Sequence, residues 1–305
     1  MIYLESFRTV PAGEEERFLL SFPYQLEMQC YDHNNVYPFK LFPEKGLEEL
    51  TFAPVTLLYG GNGSGKSTLL NLIAEALGMD RASPWNHTPF TAPYLERCRY
   101  DLAPGGKRLP SASRMISSDD VFDLLLDTRT INEGIDRRRE ALFEEYYVTR
   151  ETPMEPLRNL GEFEEFKRRS EAKRRTKSVY VSRRMPRAEL QGRSNGESAF
   201  SYFTQKITEN ALYLLDEPEN SLSAALQQEL AGFLEDSARF YGCQFIISTH
   251  SPFLLSMKGA KIYDLDASPV CVRPWTALEN VRAYYELFSK HQKEFETESQ
   301  GGKIG

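Results

Sequence analysis

The chain has 305 residues, 41% hydrophobic and 27% charged, with a net charge of −7, which is ordinary usage for one large core or a core with a lobe. No apolar run approaches a membrane span, and Met1-Ile2-Tyr3-Leu4-Glu5 lacks the charged and apolar regions of a signal peptide, so a cytoplasmic protein with no membrane partner is expected. Cys30, Cys98, Cys243 and Cys271 are scattered without C-x-x-C spacing, and they read as small buried hydrophobes, not zinc ligands or a disulfide frame.

Residues 1–53 hold short alternating runs, Ile2–Phe7 and Phe18–Phe22, broken by Pro11, Gly13, Pro23 and Pro38. They predict an antiparallel β element packed on the core that follows. Residues 54–127 open on Val55-Thr56-Leu57-Leu58-Tyr59, an apolar and β-branched run that reads as a buried strand. Gly60-Gly61-Asn62-Gly63-Ser64-Gly65-Lys66-Ser67-Thr68 follows and matches G-x-x-x-x-G-K-[S/T] in full. Leu69 to Ala74 then open a helix that Gly78 stops. In such a loop the glycines let the backbone point N–H groups at a phosphate, the helix N-terminus adds its positive end, and the lysine reaches the β/γ oxygens. Beyond it lies a polar stretch with Pro84, Pro89, Pro93, Pro104 and Pro110, expected to be irregular.

Residues 128–193 turn helical and charged, as in Glu133–Tyr147 and Glu162–Lys177, the size of a helical lobe and too poor in heptads for a coiled-coil arm. Between Phe166 and Arg193, eleven basic residues face two acidic ones, a local +9 that leaves −16 elsewhere. That segregation suits nucleic acid, an acidic partner or a solvated helix face equally, since a single aromatic, Tyr180, interleaves to stack bases.

Residues 194–273 carry the remaining motifs. Ser194-Asn195-Gly196-Glu197-Ser198 is a polar turn feeding a helix start, a second anion site. Ala211 to Leu215 is another buried-strand run, ending in Asp216-Glu217-Pro218-Glu219. A carboxylate at the end of a strand beside the phosphate loop is where a Mg²⁺ ligand must sit, so Asp216 takes that role, and Glu217 is placed to polarise an attacking water. Phe245 to Thr249 is a third strand run, with His250 directly after it, placed to contact a γ-phosphate. In residues 274–305, Thr276-x-x-Glu279 predicts a capped last helix with Leu278, Val281, Tyr285 and Phe288 on one face, then a frayed tail from Gln300.

In this order the motifs resemble an ABC-type ATPase, and most closely the stand-alone bacterial ATPases related to the SMC, repair and OLD-type heads. The resemblance rests on a Walker A loop (60–67), a signature-like S-N-G-E-S (194–198), a Walker B strand with Glu217, a D-loop-like E-N-S-L-S (219–223) and the T-H-S-P-F-L-L string from Thr249. It implies an α/β P-loop NTPase head with a mixed core sheet, an N-terminal antiparallel β element and a helical lobe. It implies ATP and Mg²⁺ as cofactors, held by Gly60, Asn62, Gly63, Ser64, Gly65, Lys66, Ser67 and Thr68, with Ser67 and Asp216 on the metal. Glu217, His250 and Lys66 would serve catalysis. The family also implies a head-to-tail homodimer in which Ser194, Gly196 and Glu197 of one copy cap the ATP of the other, and an effector partner in DNA or RNA transactions or defence. The rivals are the nucleotide-binding subunit of a transporter and a low-turnover ATP-clamped scaffold.

The chain departs from the family pattern in three places. Asn195 stands where the signature has a glycine, no glutamine loop is evident although Ser118 or Asp119 lies at its place, and Tyr37 and Phe39 are the candidates to stack on adenine.

Overall fold

The computed structural model describes residues 1–20, 36–105, 108–153, 163–174, 176–182, 184 and 195–301. They divide into two compact units, 1–121 with 195–305 and 122–194.

In the first unit, β1 (Leu4–Arg8) runs into helix α1 (Ala12–Leu19), then β2 (Glu49–Thr51) and β3 (Val55–Tyr59). The phosphate loop leads into α2 (Lys66–Ala76), followed by α3 (Thr91–Leu95), β4 (Arg99–Leu102) and β5 (Arg114–Ser117). Helix α4 (Ser118–Glu151) starts at the end of β5, and α5 (Phe163–Arg174) and α6 (Lys177–Ser182) lie in the second unit. The chain then forms α7 (Asn195–Lys206), β6 (Leu212–Asp216), α8 (Ala224–Phe240), β7 (Gln244–Ser248), α9 (Pro252–Leu255), β8 (Lys261–Asp264), β9 (Cys271–Val272), α10 (Glu279–Lys290) and α11 (Gln292–Gly301).

Six strands make the core sheet in the order β5-β6-β7-β3-β8-β9, parallel except for β9. Strands β3 and β7 are buried at every residue, as continuous apolar runs covered on both faces must be. A second, antiparallel sheet has the order β2-β1-β4. The fully buried Gln244 fastens the two sheets: its Oε1 accepts from Tyr3 N at 2.7 Å and Leu4 N at 2.9 Å, while its Nε2 donates to Leu4 O at 2.9 Å. The α/β architecture, a mixed core sheet with an antiparallel element beside it, is the one the resemblance implied.

Three local expectations need correction. Phe18 is buried on helix α1, stacked on Phe39 at 4.9 Å, so its segment is not a strand, and Phe22 lies outside the described residues. The third antiparallel strand comes from Arg99–Leu102, inside the stretch expected to be irregular. Helix α10 has Leu278 as its N-cap with no side-chain cap, and Tyr285 and Phe288 are exposed where Leu278 and Val281 are buried. Of the cysteines, Cys98 and Cys243 are buried and Cys271 is half-buried, while Cys30 is outside the described residues.

The segment 36–47 packs over the start of α2. A Cβ on Gly65 would come 3.2 Å from Leu41 Cδ2, and Tyr37 Oη donates to Thr68 Oγ1 at 2.7 Å. Beneath this segment, Glu15 accepts from Lys40 N at 2.7 Å through Oε2, and its buried Oε1 has no partner. Burial pushes the Glu15 carboxyl up to about 7, opposed by the Lys40 amide. A carboxyl raised on folding stabilises at low pH, and that contribution is lost as pH rises through the folded value. The unfolding free energy should therefore fall by up to ~3 kcal/mol between pH 5 and pH 8. Glu15→Gln keeps the acceptor for Lys40 N and should flatten that fall. Urea unfolding of both proteins at the two pH values checks it, and parallel slopes would count against Glu15.

In the second unit, Leu142, Tyr146, Ala172, Tyr180 and Val181 form a small core, and Tyr180 Oη donates to Glu145 Oε1 at 2.9 Å. Of the basic run, Lys177 lies over the Phe143 ring at 4.2 Å and Arg184 pairs with Glu171 at 3.0 Å. Lys167, Arg168, Lys173 and Arg174 are exposed on α5, whereas Arg175, Arg183, Arg187 and Arg193 lie outside the described residues. At the helical period these four exposed charges spread around α5 and do not form one stripe.

Candidate nucleotide site

The parallel sheet brings the C-terminal ends of β3, β6 and β7 together, with Leu58 and Asp216 both in register with Ser248. Ligands of open α/β sheets bind at such strand ends. Here that edge carries the phosphate loop, Asp216-Glu217 and His250.

The loop is built for close backbone approach. A Cβ on Gly60 would lie 2.6 Å from Ser64 Oγ, and Gly63 and Gly65 have φ of +79° and +95°, which only glycine adopts freely. Gly65 is the N-cap of α2 and no side chain caps that helix, so its first N–H groups are free to meet an anion. Ser64 Oγ is buried without a partner. Asn62 is exposed at the tip of the loop.

Lys66 is only 4% exposed. Its ammonium has three protons, and the structure offers three acceptors: Gly60 O at 2.8 Å, Gly61 O at 3.2 Å and His250 Nε2 at 2.8 Å. Because Lys66 can only donate, His250 Nε2 must be the bare nitrogen of a neutral ring. Burial and then Lys66 hold His250 below its usual range, against the opposing pull of Glu217 and Asp266. The 3.4 Å approach of His250 Nε2 to Glu217 Oε1 is therefore proximity, not an ion pair.

Asp216 is half-buried, and its carboxyl is pushed up chiefly by desolvation, with hydroxyl donors pulling the other way. Its Oδ1 accepts from Ser67 Oγ at 3.0 Å and from Ser248 Oγ. Glu217 sits at φ +47°, with its N–H shared between Ser248 O at 3.1 Å and Ser248 Oγ at 3.0 Å. Its Oε1 lies 3.7 Å from Lys66 Nζ, and its Oε2 accepts from Asn220 Nδ2 at 3.2 Å.

Thus Gly60 to Thr68, Asp216, Glu217 and His250 converge. Gly196 and Glu197 start α7 elsewhere: a Cβ on Gly196 would meet Ser221 O at 3.2 Å and Leu226 Cδ1 at 3.1 Å, and Glu197 is exposed. Ser194 lies outside the described residues. Ser118 and Asp119 open α4 next to Asp216, since Ser117 pairs with Asp216 in register. Phe39 is a core residue, packed on Phe18 and Tyr94. Two participants had no local signal: Asp266, which accepts from Gly61 N at 2.7 Å, and Asn280, whose Nδ2 donates to His250 O at 3.3 Å.

Residues 190–256 match the family model described as "AAA domain, putative AbiEii toxin, Type IV TA system". That span holds the signature-like turn, Asp216, Glu217 and His250. The core is similar to ABC/SMC-type P-loop ATPase heads.

Among solved structures, the chain is similar to the SMC head domain from Thermotoga maritima, at 14% identity over 89% of this chain and 98% of that one, TM-score 0.38. It is also similar to an SMC head with an extended coiled coil bound to the C-terminal domain of ScpA from Pyrococcus furiosus, at 15% identity over 96% and 100%, TM-score 0.44. A dimeric ATP-binding cassette in a post-hydrolysis state with ADP and phosphate matches at 12% identity over 75% and 90%, TM-score 0.36. No curated protein matches the chain. Among the described residues, no helix is long and apolar enough to cross a membrane.

Proposed function

We propose that the protein binds ATP with Mg²⁺ and hydrolyses it as a head-to-tail homodimer, a cytoplasmic switch that drives an effector partner in DNA or RNA transactions or defence. The observation that carries the chemistry is the buried Lys66, with its three protons directed at Gly60 O, Gly61 O and His250 Nε2 and with Glu217 3.7 Å away. Phosphate oxygens are stronger acceptors for an ammonium than carbonyls, so the β/γ-phosphates take over those protons. The uncapped start of α2 and the orphaned Ser64 hydroxyl fit the same anion.

Ser67 and Asp216 would hold the metal, since two oxygen donors 3.0 Å apart, one a half-buried carboxylate, suit a hard cation. Mg²⁺ supplies countercharge to the phosphate oxygens. Glu217 polarises the attacking water, and Asn220 fixes which of its oxygens is free to do so. When Lys66 turns to phosphate, His250 Nε2 is released and can carry the proton that faces the γ-phosphate.

The dimer reading rests on Gly196 and Glu197. Gly196 stands beside the D-loop-like turn of its own chain, and the resemblance assigns Ser194, Gly196 and Glu197 to the nucleotide of a second copy.

One titration tests the proposal: phosphate release from Mg·ATP, with and without duplex DNA, single-stranded DNA or RNA, alongside gel retention at rising salt. Release that needs Mg²⁺ is expected, with retention weakening by roughly 0.9 log units per phosphate contact per decade of salt on duplex DNA. No release under any condition would overturn the ATPase reading. Release without retention of any ligand would remove nucleic acid and leave the switch.

A further inference from the structure

We propose that Glu219 and Asn280 are positioning residues for His250, a two-sided clamp that fixes the main chain of the switch histidine so that its ring faces Lys66. This rests on the reading of His250 given above and adds the residues that govern it.

The clamp grips both sides of one residue. Glu219 Oε1 accepts from His250 N at 2.6 Å, from Thr249 Oγ1 at 2.8 Å and from Ser251 N at 3.2 Å. On the other side, Asn280 Nδ2 donates to His250 O at 3.3 Å. With both its N–H and its carbonyl held, His250 has only its side-chain torsions left to vary. A charged acceptor bonded by three donors is a strong anchor, because charge-assisted hydrogen bonds are about twice as strong as neutral ones.

Neither jaw is local. Glu219 opens the D-loop-like turn, whose Ser221 carbonyl lies where a side chain on Gly196 would be. Asn280 stands at the start of α10, and its own N–H donates to Tyr59 Oη at 3.0 Å. Tyr59 is the last residue of β3, directly before Gly60. The histidine is thus tied through one jaw to the D-loop-like turn, which lies beside Gly196, and through the other to the C-terminal helix and the end of β3. Glu219 is 9% exposed, and its Oε2 is buried with no partner. Burial raises its carboxyl above the usual range. Folding alone does not favour such a group.

The experiment compares Glu219→Ala, Glu219→Gln, Asn280→Ala and the wild type in ATP affinity and in kcat. Glutamine keeps an acceptor for the three donors, so it should turn over close to the wild type. Either alanine variant should lose about 10–100-fold in kcat, the scale of a misplaced catalytic group, with ATP affinity held by Lys66 and the loop. Wild-type kcat in both alanine variants would overturn the clamp, as would equal losses in affinity and kcat, or a glutamine variant as poor as alanine. A second readout needs no hydrolysis: ¹⁵N-histidine NMR of the nucleotide-free protein, which has four histidines, with His250 assigned by His250→Gln. In Asn280→Ala the His250 nitrogens should move toward those of a free imidazole. An unmoved signal refutes the clamp even if the wild type proves inactive, whereas a moved signal with no wild-type turnover keeps the clamp and rejects the ATPase reading.

Discussion

Glu217→Gln should bind Mg·ATP like the wild type and release phosphate about 10²–10⁴-fold more slowly, the usual contribution of a positioned general base. The geometry says why an isosteric change is so damaging. Asn220 Nδ2 donates to Glu217 Oε2, so a glutamine keeps its carbonyl oxygen there and turns its amide NH₂ toward Lys66 and His250. An acceptor becomes a donor where the attacking water must give up a proton. The phosphate loop, Ser67 and Asp216 are untouched, so binding persists and the ATP-bound dimer should accumulate. Single-turnover phosphate release and sizing in Mg·ATP check both halves. Turnover at the wild-type rate would remove Glu217 from this role.

Lys66→Ala should weaken ATP binding by about 10–100-fold and abolish ATP-dependent dimerisation, since a hydrogen bond to a charged group contributes about 1.5–3 kcal/mol. The lysine is buried against Gly60 O, Gly61 O and His250 Nε2, so its removal also strips those acceptors of their donor. Lys66→Met, which keeps the apolar stem without the charge, separates the two effects. If the charge is what binds phosphate, methionine fails as badly as alanine in calorimetry with ATP. Unchanged affinity in either variant would contradict the assignment.

The centre of this site could be read from the chain because each part sits on a run buried on both faces. Val55–Tyr59, Leu212–Asp216 and Gln244–Ser248 are strands whose apolar continuity points to a parallel sheet, and the motif residues follow at their ends. Strand β4 was hidden for the opposite reason. Arg99, Tyr100 and Asp101 are exposed on an edge strand, so no alternation marks it. Phe18 misled because one buried aromatic fits a helix face as well as a strand. Asp266 and Asn280 had no readable signature, since their partners lie 205 and 30 residues away and only the fold brings them to the loop and the histidine; Glu219 was legible in the D-loop-like string, but its hold on His250, 31 residues on, was not. Tyr285 and Phe288 fit a helical period with Leu278 and Val281, yet the helix turns them outward. Periodicity finds the face but not what covers it.

Glu217 holds a left-handed backbone at φ +47°, a conformation that costs a residue with a Cβ about 1–2 kcal/mol. Asparagine tolerates that region far better and glycine adopts it freely, so either residue at position 217 should relieve that cost and stabilise the fold. On the role proposed for Glu217, the tight turn after β6 gives up that stability to present a carboxylate. Glutamine at 217 inherits the same cost, so the isosteric variant loses turnover without gaining the relief that asparagine or glycine would bring.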